Sequence, residues 1–164
     1  MRLGILLLGL TLWLPANAQD TIWFEGFNYI DGTTDPGNGK WSINTDSCVF
    51  DNDGGPNDDH FEVRDSVFSG SDLDGFAIWT SESIDISGET DGVKIKVDLW
   101  QYVIPPESME TNQDTLYTYY SLDGGPEVLL ENGQLEGQFG SSPGFTCGSA
   151  LIGNSLQIII KARN

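Results

Sequence analysis

Along this chain apolar residues recur at every second position rather than every third or fourth, which predicts strands and no helix beyond the first eighteen residues. The clearest case is Val93 to Val103. There Val93, Ile95, Val97 and Leu99 fall on one side, and Lys94, Lys96 and Asp98 on the other. Pro105 and Pro106 stop that strand, because proline has no N–H to give to a ladder. Thr115 to Leu122, rich in aromatic and β-branched residues, predicts a second strand. Asp123-Gly124-Gly125 is a turn signal, and Glu127 to Glu131 returns to complete a hairpin. Phe61 to Arg64 and Ala77 to Ser87 read as consecutive short strands separated by an Asp/Gly loop, and Thr21 to Phe27, Trp41 to Ile43 and Ser155 to Lys161 as further strands. Gly, Asp, Asn, Ser and Pro punctuate the pattern about every eight to twelve residues, the spacing of an all-β sandwich. A strand lying almost at the C-terminus would leave an unpaired edge, a hazard that one more strand normally covers. The expected architecture is therefore an antiparallel β-sandwich that lacks its last strand.

The one segment outside this pattern is the beginning. Arg2 precedes an uncharged, leucine-rich run from Leu3 to Leu14, Pro15 breaks it, and Ala16-Asn17-Ala18 offers small residues at a cleavage site before Gln19. The run is shorter than the roughly 20 residues that a membrane-spanning helix needs. Residues 1–18 therefore read as a signal peptide and residues 19–164 as one module, secreted to the exterior or the cell surface and not inserted in a membrane. That module is long enough to bury a core of its own. There is no internal repeat and no Ser/Pro linker.

Charge narrows the partners. The chain carries 7 basic and 25 acidic residues, a net charge of −18, and loss of Arg2 with the signal makes the exported product more acidic still. Six scattered cations cannot build the basic face that nucleic acid or anionic lipid requires. Two cysteines, Cys48 and Cys147, would meet an oxidising compartment. Bonded, they would close a loop of roughly 100 residues, worth about 4–5 kcal/mol on the chain-entropy model if unstrained. Unbonded, they are two lone thiols in different loops, and neither has the neighbours for catalysis or zinc.

Catalytic signatures are missing. His60 is the only histidine, no Gly-x-Ser-x-Gly turn occurs, and no glycine-rich phosphate loop follows a strand. Paired carboxylates leave no local signature, so a small secreted hydrolase stays as a third reading. The stretch from Asp46 to Asp74 holds nine acidic residues and one basic, Arg64, and oxygen ligands in flexible loops suit Ca²⁺. Asp51, Asp53 and Glu62 imitate the outer frame of an EF-hand loop. However, Gly55 stands at a ligand position and Pro56 where the turn glycine belongs, so that match fails.

Phe24-Glu25-Gly26-Phe27, Trp41-Ser42, Phe61-Glu62-Val63-Arg64, Asp72-Leu73-Asp74-Gly75, Ala77-Ile78-Trp79-Thr80-Ser81-Glu82 and Ile84-Asp85-Ile86-Ser87 together carry a resemblance, continued by Tyr119-Tyr120-Ser121-Leu122-Asp123-Gly124-Gly125 and Leu156-Gln157-Ile158-Ile159-Ile160. They resemble the secreted jelly-roll modules, galactose-binding-like and laminin-G-like, of multimodular exported Bacteroidetes proteins. The resemblance spans nearly all of the chain after the signal. It implies a jelly-roll sandwich that accompanies enzymes or adhesins as a non-catalytic part of a larger polypeptide. It also implies a final strand containing Phe-Asp-Asn beyond Asn164, and a calcium site of the sandwich type. Such a site would take Glu25 from the first strand with Asp72 and Asp74 from the acidic loop.

Trp100 and Tyr102 lie on the face opposite the Val93 stripe, where exposed rings would stack on sugar rings while Asp98 and Gln101 bond the hydroxyls, with Tyr117 and Tyr119 near by. Trp23, Trp41 and Trp79 adjoin strong strand signals and are expected in the core. The expected function is a non-catalytic extracellular binding or adhesion module, calcium-stabilised, for a polysaccharide or cell-surface partner. The alternative is a structural spacer or interaction domain without a ligand.

Overall fold

Alternating β-branched and aromatic positions produce ten strands, every pair antiparallel, in a computed structural model that describes residues 20–50, 59–100, 114–136, 145–146 and 150–163. They are β1 (Trp41–Asn44), β2 (His60–Arg64), β3 (Val67–Ser71), β4 (Ala77–Ser81), β5 (Ile84–Asp85), β6 (Lys96–Val97), β7 (Thr115–Leu122), β8 (Val128–Glu136), β9 (Phe145–Thr146) and β10 (Ser155–Arg163). Among the described residues there is no helix, and none long and apolar enough to cross a membrane. The large sheet has the order β1-β4-β10-β7-β8, with β5 continuing past β4 along the same side of β10. The β2–β3 hairpin and the β6–β9 pair stand apart from it.

Parity along the strands makes the core. On the large sheet Trp41, Ile43, Ala77, Trp79, Leu156, Ile158, Ile160, Tyr120 and Leu122 share one face by register. Phe61 and Val63 of β2 and the ring of Phe68 of β3 pack against that face, and the Val93–Ile95 edge closes the cluster. Its centre is aromatic. Phe68 meets Trp41 edge-on at 5.3 Å, and Phe27 meets Trp79 edge-on at 5.9 Å, the arrangement that ring quadrupoles favour. Two layers face each other across one core, as in a β-sandwich.

Two tight turns follow from their residues. Asp65 and Ser66 both have positive φ, 50° and 61°, joining β2 to β3 in a two-residue turn of the primed kind. Asp123 and Gly124, at 53° and 67°, do the same after β7, closed by the Gly125 N–H on the Leu122 carbonyl. The Asp-Gly signal and the limits of Thr115–Leu122 are as the sequence predicts.

Three expectations are corrected. Residues Thr21 to Phe27 form no strand: Glu25 takes the Phe27 N–H onto its carboxylate, and Phe27 turns to a φ of 51°, which no ladder accommodates. In the described part of Val93 to Val103, residues 93–100, the expected continuous strand is β6, an isolated bridge from Val93 to Leu151 and a bridge position at Trp100, while residues 101–103 lie outside the described residues. Its stripe nonetheless holds, with Val93 and Ile95 buried and Lys94, Lys96 and Asp98 exposed. Finally, the C-terminal strand is no edge. β10 lies mid-sheet, paired with β4 and β5 on one side and with β7 on the other.

Candidate functional site

The register of the large sheet fixes what its other face presents. One row across the strands reads Ser42, Thr80, Ile159, Tyr119, Leu129, and the next reads Asn44, Ile78, Lys161, Tyr117, Gln134. A face turned away from the core is ordinarily polar, yet the middle of this one is apolar and aromatic. Ile159 is 7% exposed, Tyr117 and Tyr119 are half-buried, and Leu129 is 42% exposed. Tyr117 and Tyr119, two residues apart on β7, lie 6.0 Å apart with their planes 30° from parallel. Phe76, 38% exposed at the entry to β4, extends the line with its ring 6.2 Å from that of Tyr117.

Polar groups edge this row. Lys161 sits with Nζ 5.2 Å from the Tyr119 ring centroid and donates to Glu127 Oε2 at 2.6 Å. Gln134 Nε2 donates to Glu136 Oε1 at 2.6 Å. An exposed ion pair of this kind stabilises the fold little. Its consequence is that the Lys161 charge beside the rings is balanced by Glu127, whereas Arg163, exposed on the next row of the same face, stands opposite Thr115. The two tyrosines adjoin an irregularity in β8, where residues 130–133 oppose Thr118 alone. Gly133 permits it, since a Cβ there would lie 2.6 Å from the Thr118 carbonyl oxygen, and Asn132 takes a φ of 58°. Bulges of this kind re-aim side chains beside binding sites.

The residues singled out by sequence are distributed differently. Trp100 is 55% exposed, as expected for the side opposite the Val93 stripe, and Tyr102 lies outside the described residues. Glu25, Asp72 and Asp74 do not converge; among the described residues no group of three or more His, Cys, Asp or Glu side chains could hold a metal. Glu25 is instead spent on its own segment. Oε1 accepts the Phe27 N–H at 2.8 Å, Oε2 accepts the Tyr29 hydroxyl at 3.0 Å, and Lys40 stands 3.9 Å away. Trp23, expected in the core, is only half-buried and donates its indole N–H to Glu82 at 2.8 Å, pinning the segment to the end of β4. Asp72 follows β3 with a φ of 49°. Burial pushes the Cys48 thiol pKa up, a hydrogen bond from the Gly75 backbone opposes it, and the nearby Asp74 carboxylate adds a smaller push in the same direction as burial. Cys147 is outside the described residues, and with it the pairing of the two cysteines.

His60 finds a hydroxyl partner. Its Nε2 is 2.8 Å from Ser69 Oγ across the β2–β3 hairpin. The pair lies on the polar side of that hairpin, opposite Phe61 and Val63, beside the Arg64–Glu62 ion pair.

Comparison of the chain with protein-family models, with curated proteins and with solved structures gives no match. Phe76 and Lys161 escaped the sequence reading because they meet Tyr117 and Tyr119 only through the β4-β10-β7 register. The alternation within Thr115–Leu122 was the available signal: it puts both tyrosines opposite Leu116, Thr118 and Tyr120.

Proposed function

We propose that this protein is a non-catalytic extracellular binding module that holds a polysaccharide or cell-surface glycan on the outer face of its large sheet. The observation that carries the proposal is the line of rings Phe76, Tyr117 and Tyr119 on a sheet face turned away from the core, flanked by Lys161–Glu127 and Gln134–Glu136. Aromatic rings offer apolar surface to the C–H faces of a sugar, and adjacent charged and amide groups bond its hydroxyls. The row replaces Trp100 and Tyr102 as the principal platform. Export by the leading segment and a jelly-roll type of sandwich belong to the same proposal. The crossing order β1-β4-β10-β7-β8 supports the latter, because β1, β4, β10 and β7 are sheet neighbours without being sequence neighbours, although β7 and β8 form a hairpin.

Calcium, if it stabilises the module, would draw on the acidic loop rather than on Glu25, whose oxygens already bind Phe27 and Tyr29. A spacer without a ligand has no specific observation in its favour. Affinity electrophoresis against a panel of plant, algal and microbial polysaccharides tests the binding proposal. Retardation by at least one of them is expected. Mobility unchanged in every gel, with and without calcium, would leave the spacer as the better account.

A further inference from the structure

We infer that Asn38 is a self-modification site, at which the chain converts its own side-chain amide to a carboxylate through attack by the Gly39 backbone nitrogen. The inference is independent of the binding proposal. Two Asn-Gly pairs occur in the sequence, Asn38-Gly39 and Asn132-Gly133. In such a pair no Cβ on the second residue obstructs approach of its nitrogen to the amide carbon. The fold treats the two pairs oppositely. Asn38 and Gly39 are exposed in the loop ahead of β1. Gly37 and Gly39 have φ values of 71° and 74°, and a Cβ built on either would meet nothing within 4 Å. The Asn38 side chain is already folded back, since its Oδ1 accepts the Lys40 N–H at 3.0 Å. That Asx turn curls the amide carbon toward the Gly39 nitrogen. The Lys40 N–H also sits where negative charge grows when the amide carbonyl is attacked.

Asn132 has no such approach. Gly133 is buried in the β8 irregularity, where a Cβ would lie 2.6 Å from the Thr118 carbonyl oxygen, so its nitrogen is shielded from hydroxide and held by the sheet. Asn44 supplies the other contrast. Its Oδ1 accepts the Asp46 N–H at 3.0 Å in the same kind of turn, but the next residue is Thr45, whose branched side chain crowds the nitrogen. Asn38 alone of the three joins the turn to an open glycine. The step balances with water as the only co-reactant. Hydroxide takes the Gly39 N–H proton, the nitrogen bonds to Asn38 Cγ, and the side-chain nitrogen leaves as ammonia with a proton from water. Water then opens the five-membered imide at either carbonyl, giving aspartate or isoaspartate. Each converted chain gains one negative charge, and isoaspartate adds a methylene to the main chain just ahead of β1.

The protein is held in warm, mildly alkaline buffer, folded and, in parallel, unfolded in urea, and peptide mapping by mass spectrometry follows Asn38, Asn44 and Asn132. In the folded protein Asn38 is expected to convert about tenfold faster than Asn132, or more, at a rate that rises with hydroxide concentration. Asn44 should stay unconverted over the same period. In urea the two Asn-Gly pairs should convert at similar rates, because the protection of Gly133 is lost with the fold. Asn38→Ser, whose hydroxyl can still accept the Lys40 N–H, should remove the more acidic species from isoelectric focusing while urea unfolding shows the variant still folded. Asn132 or Asn44 keeping pace with Asn38 in the folded protein would overturn the inference. So would an equally large difference between the two pairs in urea, or an acidic species that persists at its original rate in Asn38→Ser.

Discussion

The hydroxyl of Ser81 accepts the backbone N–H of Ile158 at 2.9 Å, standing in for a main-chain carbonyl at the point where β4 stops pairing with β10. Between Thr80, opposite Ile159, and Ile84, opposite Leu156, the β4–β5 strand carries one residue more than β10. A bulge of this kind leaves a ladder group without its ordinary partner. Ser81 is 3% exposed, and it also donates to the Glu82 carbonyl at 2.8 Å. Ser81→Ala is expected to strand a buried N–H and cost about 1–3 kcal/mol. Urea unfolding should show a lower midpoint with an unchanged slope; a midpoint equal to that of the parent would contradict this role.

The turn after β7 is held by a carboxylate. Asp123 Oδ1 accepts the backbone N–H groups of Ser155 at 2.8 Å and Asn154 at 2.7 Å, and these bonds hold its pKa below the ordinary aspartate value. Because the folded value is depressed, the contribution to stability is present above the unfolded pKa of about 3.9 and is lost as pH falls through the folded value. Asp123→Asn should therefore lower the melting temperature at neutral pH and converge with the parent in strong acid. A difference that stays constant down to the acid limb would show that charge has no part in the clamp. Asp85, depressed by the backbone and hydroxyl of Ser87, adds to the same acid limb.

Where strands depend on local residues, the sequence was a good guide. β7 and the Asp-Gly turn follow from β-branched and aromatic alternation ended by residues that tolerate positive φ. What alternation cannot supply is which strands become neighbours. Ser155 to Arg163 was legible as a strand, but its place mid-sheet depends on pairing with Ala77 and Thr115, residues far away in sequence. The outer face of the sheet is assembled by that same pairing, so Lys161 could not be placed beside Tyr117. The stretch Thr21 to Phe27 misled for the opposite reason: its alternation is real, but a side chain, Glu25, took the backbone donor that a strand would have used.

Glu25 anchors the segment that brings Phe27 into the aromatic core. Its side chain is 6% exposed, and both oxygens accept from groups of this segment. Glu25→Ala should cost about 1–3 kcal/mol by leaving the Phe27 N–H without an acceptor. Glu25→Gln keeps one carbonyl oxygen and should cost less. Equal losses for the two variants, measured by urea unfolding, would mean that charge and not the hydrogen bond matters.

Gly75 marks a second dependence on close approach. A Cβ on it would lie 1.8 Å from the Ser47 carbonyl oxygen and 2.5 Å from the carbonyl carbon, both backbone atoms that no side-chain rotation can move. The contact docks the loop before β4 against residues 45–48, reinforced by the Ser47 hydroxyl on the Phe76 carbonyl at 2.7 Å. Gly75→Ala is expected to destabilise by at least the 1–3 kcal/mol typical of overpacking. It should also displace Phe76 and expose the Cys48 thiol, so thiol labelling under native conditions should accelerate. Labelling at the parent rate in a folded variant would show that the loop can yield without moving Cys48.

The two aromatic surfaces can be separated by substitution. Trp100 is the more exposed, at 55%, but it stands on the side of the Val93 segment away from the core, whereas Tyr117 and Tyr119 share the large-sheet face with Phe76 and Lys161. A single ring loses most of its stacking contact when cut to alanine. Loss of a ring from a continuous row also breaks the apolar path between its neighbours. Tyr117→Ala and Tyr119→Ala should each weaken binding to a retarding polysaccharide at least tenfold, about 1.4 kcal/mol, with Phe76→Ala intermediate and Trp100→Ala near the parent. Lys161→Met leaves both tyrosine rings in place and removes only the ammonium over Tyr119, freeing Glu127, so it should reduce affinity only a few-fold. The ranking is read from the dissociation constants given by retardation at graded polymer concentrations. If Trp100→Ala proved the most damaging variant and the tyrosine variants were silent, the ligand would belong on the Val93 side, and the outer rows of the large sheet would be a surface of another kind.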